Sequence, residues 1–402
     1  MTKARPSIRD VARESNVSPT TVSLVINRND ARISAPTRQR VLDTIERLQY
    51  RPSRLAQGLP SRSSRSLAVL LPALDRAFAD PYFGEIISGI YDCAAEQDFR
   101  IMLEVARRSF IKQKRYATLL DDCSVDGFLF IGATEEHRWL DEFSQSNRPL
   151  LLVNNHFSQW QLDTVLCDYP QAGRLAADYL VGLGHQRIAH ISGPASEVLT
   201  AEEMTSAFLD RLAEHRVSIS DRLIADGQFR IESGQRAAEE LLDADPSITA
   251  MFCGNDKMAM GAYRAIRNRG KQVGRDISIV GCDDLPGATA MDPPLTTIRL
   301  NYYELGYQSC KRMIDRLTQR NINGRNAAKN HARNTSVDQT VTHGNGNGSH
   351  HGTLTKTPAH THHGNNNTRR PVAVLPDENR YAPARRIPVR LIERESVCSL
   401  NV

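Results

Sequence analysis

The chain has 402 residues, 40% hydrophobic and 24% charged, with a net charge of +5, room enough for a small domain plus a two-lobed body and ordinary for a globular protein. No apolar run approaches the ~20 residues a membrane span needs and the polar N-terminus has no signal-peptide core, so a membrane partner is excluded and a cytoplasmic protein is expected. Seven cysteines without C-x-x-C spacing argue for reduced, buried thiols and against a disulfide framework or a metal site.

The first predicted elements are two short helices within Ser7–Asn27. Ser7 can cap the first, with Asp10 three residues on returning the bond, and Ile8, Val11 and Ala12 share one face. Ser15-Asn16-Val17 makes the turn. Ser18 at N-cap and Pro19 at the first helical position then start the second helix. Val22, Val25 and Ile26 form its buried face, which leaves Pro19, Thr20, Thr21, Ser23, Leu24 and Asn27 nearer solvent. Such a helix-turn-helix offers small polar groups to a DNA major groove, although an ordinary helical hairpin has the same outline. A third helix follows, with Ser34 as its cap, Pro36 in its first turn and Val41, Leu42, Ile45 and Leu48 as its apolar face. Residues 1–66 carry 13 Lys/Arg against five Asp/Glu, a net +8, which leaves −3 for the rest. A positive head suits DNA phosphate; a solvated basic surface has the same count.

The stretches Ile8–Ala12 (IRDVA) and Val17–Ser23 (VSPTTVS) resemble the LacI/GalR (lactose-repressor) family of bacterial regulators. The resemblance implies DNA binding, and it places Ser7, Ser18, Ser34 and Thr37 at helix starts that contact phosphate, a role helix N-termini suit. It also implies that Tyr50–Leu59 forms a hinge helix on DNA, with Arg54 and Leu59 among the DNA-binding residues. Leu59 would be the apolar wedge in the minor groove; the plainer alternative is one more packing contact. Gly58, at a cost of about 1 kcal/mol, and Pro60 keep such a helix marginal when free. One departure falls here: Leu24 stands where the family commonly has Arg, and leucine cannot bond guanine but can touch a thymine methyl.

From Ser66 the pattern alternates between strands and helices. Strands are expected at Leu67–Leu71, Ile101–Val105, Gly127–Ile131, Leu150–Val153, Arg187–Ile191, Thr249–Cys253 and Ile277–Gly281, with the chain returning near Thr297. Amphipathic helices are expected at Phe83–Ala95, Ala172–Leu183, Glu232–Leu242 and Lys257–Arg269, then at Tyr303–Leu317. The alternation implies an α/β fold with parallel sheets and right-handed crossovers. That these form two lobes of a periplasmic-binding-protein-like core is what the family resemblance implies. Residues 321–384, rich in Asn, Gly, Thr and His, show no apolar period and are expected to be a disordered insertion. Seven of the twelve histidines sit there without fixed ligand spacing, so no metal is expected. The family pattern resumes at Arg386–Ser396. The expected division is therefore a headpiece at 1–50, a hinge helix and linker at 51–66, a core at 67–320 and 385–402, and the insertion between.

No catalytic constellation appears: there is no G-x-S-x-G elbow, Walker loop, H-E-x-x-H or G-x-G-x-x-G opening a helix. The reading is a regulator, not an enzyme and without a cofactor, although the same α/β folds also host catalysis. By resemblance a small effector binds between the lobes at strand C-terminal ends, where α/β sheets hold ligands. The matching positions are Tyr82, Phe83, Ile131, Ala133, Asn154, Phe229, Asn255 and Asp283. Aromatic faces with Asn and Asp suit a carbohydrate; a nucleobase or nucleoside corepressor is the alternative, and core packing or helix capping is the plainer role for several of these side chains. A second departure is Met204, where the family often has an Arg able to hold a carboxylate or hydroxyl pair. The expected partners are double-stranded operator DNA, a small effector and a second copy of the chain, since two-fold symmetry is mirrored in operator half-sites.

Overall fold

The computed structural model describes residues 6–26, 32–50, 63–74, 79–133, 137–146, 148–195, 198–337 and 384–400, except for the side chains at 321 and 324–337. Asn27, Arg54, Leu59, the expected hinge helix and its linker up to residue 62, and 338–383 of the expected insertion lie outside the described residues.

The headpiece is three helices, α1 (Ile8–Glu14), α2 (Pro19–Ile26) and α3 (Ala35–Arg47). Val11, Ala12, Val22, Val25, Val41 and Tyr50 are buried against one another, with Ile8, Val17, Ile26, Ile45 and Leu48 at the margin. The capping box forms: the Asp10 N–H donates to Ser7 Oγ at 3.4 Å and the Ser7 N–H to Asp10 Oδ2 at 2.9 Å. Asn16 turns the chain at φ 51°, a left-handed conformation that Asn tolerates. The Arg40 guanidinium then ties α3 to this turn through the Ser15 carbonyl at 3.0 Å.

Two expectations for α3 change. Leu42 is 40% exposed while Thr44 is buried, because the inward face runs through 41, 44, 45 and 48, the i, i+3, i+4, i+7 stripe, and Leu42 lies beside it. Ser34 is the N-cap by backbone, but its hydroxyl bonds Thr37 Oγ1 at 2.9 Å rather than a helix N–H.

The body opens with β1 (Ser66–Pro72), α4 (Pro81–Glu96), β2 (Arg100–Ala106), α5 (Arg108–Lys112), α6 (Arg115–Asp121), β3 (Gly127–Ile131), α7 (Asp141–Gln145), β4 (Leu150–Val153) and β5 (Asp163–Cys167). Next come α8 (Tyr169–Gly182), β6 (Ile188–Ser192), α9 (Leu199–Glu214), β7 (Ile224–Asp226), α10 (Ile231–Ala244), β8 (Ala250–Cys253), α11 (Asp256–Asn268), β9 (Ser278–Asp283) and β10 (Thr296–Leu300). The chain ends with α12 (Tyr302–Val337), β11 (Arg385–Ile387) and β12 (Val389–Ile392).

These strands make two sheets, ordered β11-β5-β4-β3-β1-β2 and β12-β10-β9-β8-β6-β7. All neighbours are parallel except β12 against β10. Each sheet with its helices is one lobe. The chain passes between them three times: at Asp168, at Asn301 and at Pro388. The central strands are apolar throughout because helices cover both faces of a parallel sheet; Gly127–Ile131 is buried at every position.

Helix α12 returns to the first lobe and lies on α4. A Cβ on Gly89 would come within 2.0 Å of the Tyr303 carbonyl oxygen, and one on Gly306 within 2.0 Å of the Ile86 oxygen, so this close approach requires both glycines. Asp163, at the start of β5, pairs with Arg312 at 2.5 Å and Arg316 at 3.7 Å and anchors α12. The helix then runs on to Val337, through the first part of the segment expected to be disordered. Residues 318–337 lack an apolar stripe but also lack proline, and Ala327, Ala328, Lys329, Ala332 and Arg333 are good helix formers. A helix already nucleated on α4 only has to propagate.

Candidate DNA-reading helix and interlobe site

In the headpiece, Ser18 accepts the Thr21 N–H at 3.1 Å and its hydroxyl meets Thr21 Oγ1 at 2.9 Å, which caps α2. Pro19 and Thr20 are exposed, and Thr21, Ser23 and Leu24 are half-buried. Ser7, Ser18 and Ser34 each stand at a helix start, and Thr37 lies in the first turn of α3. The N–H groups of those first turns have no intrahelical acceptor.

The interlobe site is built from side chains that pass little surface to solvent. Asn154 follows β4 at φ 64°; its Nδ2 donates to Tyr169 Oη at 2.7 Å and Tyr82 Oη at 3.2 Å, and its Oδ1 accepts the Cys167 N–H at 3.2 Å. The Tyr82 ring meets Phe83 and Tyr302 edge-on, both with centroids 4.9 Å away. Tyr302 donates its hydroxyl to Asp283 Oδ1 at 2.6 Å. Tyr82 and Asn154 thus come from the first lobe, Asp283 from the second, and Tyr169 and Tyr302 stand just after the two crossings at Asp168 and Asn301.

Electrostatics sharpen the picture. Burial holds the Asp283 carboxyl well above the ordinary carboxylate range, and the neighbouring Asp256 carboxylate adds to the shift; the Tyr302 hydroxyl and Lys257 oppose it. Adjacent Asp284 is compensated, since Arg394 reaches Oδ1 at 2.6 Å and Arg299 reaches Oδ2 at 2.5 Å. Three of the eight expected cleft residues, Asn154, Phe229 and Asp283 (φ 64°, 54° and 121°), have backbones that L-residues rarely adopt. Such conformations cost about 1–3 kcal/mol each and cluster at ligand clamps.

The other expected residues are placed differently. Phe83 is 4% exposed and packs toward Pro72 and Gly132 as a core residue. Ile131 and Ala133 are buried at the end of β3, and the Ala133 carbonyl accepts Asn155 Nδ2 at 2.5 Å. Asn255 caps α11, accepting the Met258 N–H at 2.8 Å while its Nδ2 faces the Phe229 carbonyl at 3.5 Å. The Phe229 ring covers Gly193, where a Cβ would come within 2.1 Å of it. Met204 is buried with its sulfur 3.9 Å from Cys282 Sγ, so a thioether fills the place of the family's cation. His190 stacks on Phe252, and burial pushes its pKa down to about 4; it is a neutral packing group.

Sequence reasoning missed the residues that join the lobes. Lys257 Nζ reaches Asp80 Oδ2 at 2.7 Å across the cleft. Glu203 of the second lobe holds His156 at 3.0 Å and Arg386 at 3.2 Å, both from the first. Tyr169 and Tyr302 were also missed. Their available signal was position, directly after a strand and at the start of a helix, not residue type.

Among the described residues no helix is long and apolar enough to cross a membrane and no group of His, Cys, Asp or Glu is placed to hold a metal ion. A helix-turn-helix headpiece on a two-lobed, parallel-sheet core with a polar interlobe cluster defines a ligand-responsive DNA-binding regulator. The profile described as "Bacterial regulatory proteins, lacI family" matches residues 7–53, and that described as "Periplasmic binding proteins and sugar binding domain of LacI family" matches 64–343. The chain belongs to the LacI family of bacterial transcription regulators.

Among curated relatives, catabolite control protein A of Priestia megaterium is 34% identical over 302 residues, 75% of this chain and 89% of its own. The transcriptional repressor CytR of Escherichia coli (strain K12) is 30% identical, covering 77% and 89%. The transcriptional repressor PurR of Erwinia tasmaniensis is 32% identical, covering 78% and 90%. The solved lac repressor dimer bound to operator and the anti-inducer ONPF shares the fold at TM-score 0.70 and 24% identity, over 98% of this chain and all of that one.

Proposed function

We propose that this regulator is a repressor whose operator affinity is set by a small polyhydroxylated effector, a carbohydrate, held between the lobes. It acts as a homodimer on a pseudo-palindromic operator in the cytoplasm, with the exposed side of α2 in the major groove. It carries out no catalysis. The observation that supports the effector reading best is the buried Asp283–Tyr302 hydrogen bond. Asp283 stands at the C-terminal end of β9, and its partner sits on the segment where the chain changes lobes. A ligand hydroxyl that binds Asp283 competes with or reorients Tyr302, so it acts on the crossing itself. A two-state element biased by both ligands is what reciprocal coupling between effector and DNA requires.

The matched description of a sugar binding domain supports the carbohydrate reading. A solved regulator, CelR, is described in complex with cellobiose and shares the fold at TM-score 0.62. A nucleobase or nucleoside effector is the second reading, since aromatic faces and amide groups also suit a flat, hydrogen-bonding ring. Met204 offers no cation, so the ligand is not held by a guanidinium at that position, whether through a carboxylate or through a pair of hydroxyls.

The test is a thermal-shift panel of mono- and disaccharides and nucleosides on the full chain, since a binder stabilises by mass action. Asp283→Asn keeps an acceptor for Tyr302 but replaces the other carboxyl oxygen with an amide N–H₂, and should weaken the best binder by about 1–3 kcal/mol. Operator affinity without ligand should stay as in wild type. Calorimetry that finds undiminished ligand affinity in Asp283→Asn removes Asp283 from the site.

A further inference from the structure

Asp126 lies at the far end of β3 from the cleft, just before Gly127. Its carboxylate collects donors from a single short stretch, the point where the chain coming from the headpiece enters the body. Ser63 Oγ donates to Oδ2 at 2.7 Å and the Arg65 N–H to the same oxygen at 2.8 Å. The Ser64 N–H and Oγ donate to Oδ1 at 2.7 and 3.0 Å. The Asp126 N–H returns a bond to the Ser66 carbonyl at 2.7 Å. Arg65 is held at φ 50°, its guanidinium bonded to the Gln97 carbonyl at 2.8 Å and lying over the Phe99 ring.

We propose that Asp126 is a positioning residue for DNA binding: by clamping Ser63–Arg65 it fixes where and in what direction the headpiece connection leaves the first lobe. Four bonds to a charged acceptor are far more than a surface turn needs, and together they hold a left-handed residue that local sequence does not favour. The clamp also joins the two ends of the molecule. Strands β1 and β3 are hydrogen-bonded neighbours; both start at the clamp, and they end at Pro72 and Ile131 beside the cleft. A rotation of the first lobe on ligand binding is therefore delivered to Ser63–Arg65 through two rigid strands. A loose attachment would let the connection swivel and would uncouple headpiece orientation from lobe orientation. This proposal rests on the chain's function as a DNA-binding regulator and is independent of which effector it binds.

The experiment uses the full chain titrated against an operator duplex, obtained by selection from a random pool, and against a scrambled duplex of equal length. Asp126→Asn places an amide N–H₂ against donors and so removes acceptors from the clamp. Operator affinity should fall at least about tenfold, about 1.4 kcal/mol, while affinity for the scrambled duplex and melting of the core stay as in wild type. Trypsin cleavage after Arg65 should speed up in parallel. The paired variant Ser63→Ala with Ser64→Ala keeps both backbone bonds and should give a smaller loss with the same selectivity. Equal losses on both duplexes in either variant, or wild-type operator affinity in both, overturns the proposal. If Asp126→Asn does not fold, the serine pair alone decides, and unchanged operator binding there counts against the clamp. A wild type that selects no duplex at all would instead contradict the DNA-binding reading.

Discussion

At the scale of single residues, buried carboxylates set the chemistry of the second lobe. Asp256 accepts from Thr297 Oγ1 at 2.6 Å and from the Leu285 N–H at 2.9 Å, yet burial still pushes its carboxyl up to about 7. The folded protein then holds a proton that the unfolded chain releases above about pH 4. The sign follows: stability from this group is present at low pH and lost as pH rises from about 4 through about 7. Asp256→Asn removes the titration and keeps an acceptor. Relative to wild type, the variant should gain melting temperature between pH 5 and pH 8, by an amount worth a few kcal/mol at most at about 1.4 kcal/mol per pKa unit. A difference between the two proteins that does not change with pH contradicts this account. Asp283 and Asn154 were assigned to the cleft through the family resemblance, not from strand pattern alone. Tyr169 and Tyr302 were not, because a tyrosine at a helix start reads equally well as core or surface until the lobe crossing is placed.

At the scale of elements, what was legible depended on burial. Strands such as Leu150–Val153 announce themselves because both faces are covered. By contrast β5 begins with Asp163, whose charge is satisfied only by Arg312 and Arg316 from α12, far along the chain. The three-residue β7 is only half-buried, and α9 has Glu202 and Glu203 where an apolar onset would mark it. The long tail of α12 was misjudged for a different reason. An apolar period reports packing, and a helix that extends from a packed one needs propensity, not packing. Residues 338–383 should add little to stability, since their composition is polar and offers few apolar side chains. Replacing them with a Gly/Ser linker of about twenty residues should leave operator affinity unchanged and the core melting temperature within about 3 °C. Scanning calorimetry and the same duplex titration check this, and a larger loss means the segment is part of the structure.

At the scale of the whole molecule, three chain crossings, an apolar cluster shared by both sheets and a set of polar pairs across the cleft join the two lobes. Asp80–Lys257 and the Glu203 pairs with His156 and Arg386 bridge the cleft, and none of these groups is fully buried. Such partly exposed pairs contribute of the order of 1 kcal/mol or less, so a ligand in the cleft can rearrange them at little cost. The headpiece is the opposite case: its core is small and apolar, and its signature was readable because a turn, two caps and one stripe must all agree within twenty residues. Control of DNA binding by the cleft follows from the proposed function. Its most direct test is the affinity of the full chain for its selected operator, measured with and without saturating amounts of the ligand that the thermal-shift panel identifies. At least a tenfold change is expected, about 1.4 kcal/mol of coupling, and it should be abolished in Asp283→Asn. A ligand that binds wild type, loses binding in Asp283→Asn and yet leaves operator affinity unchanged would contradict it.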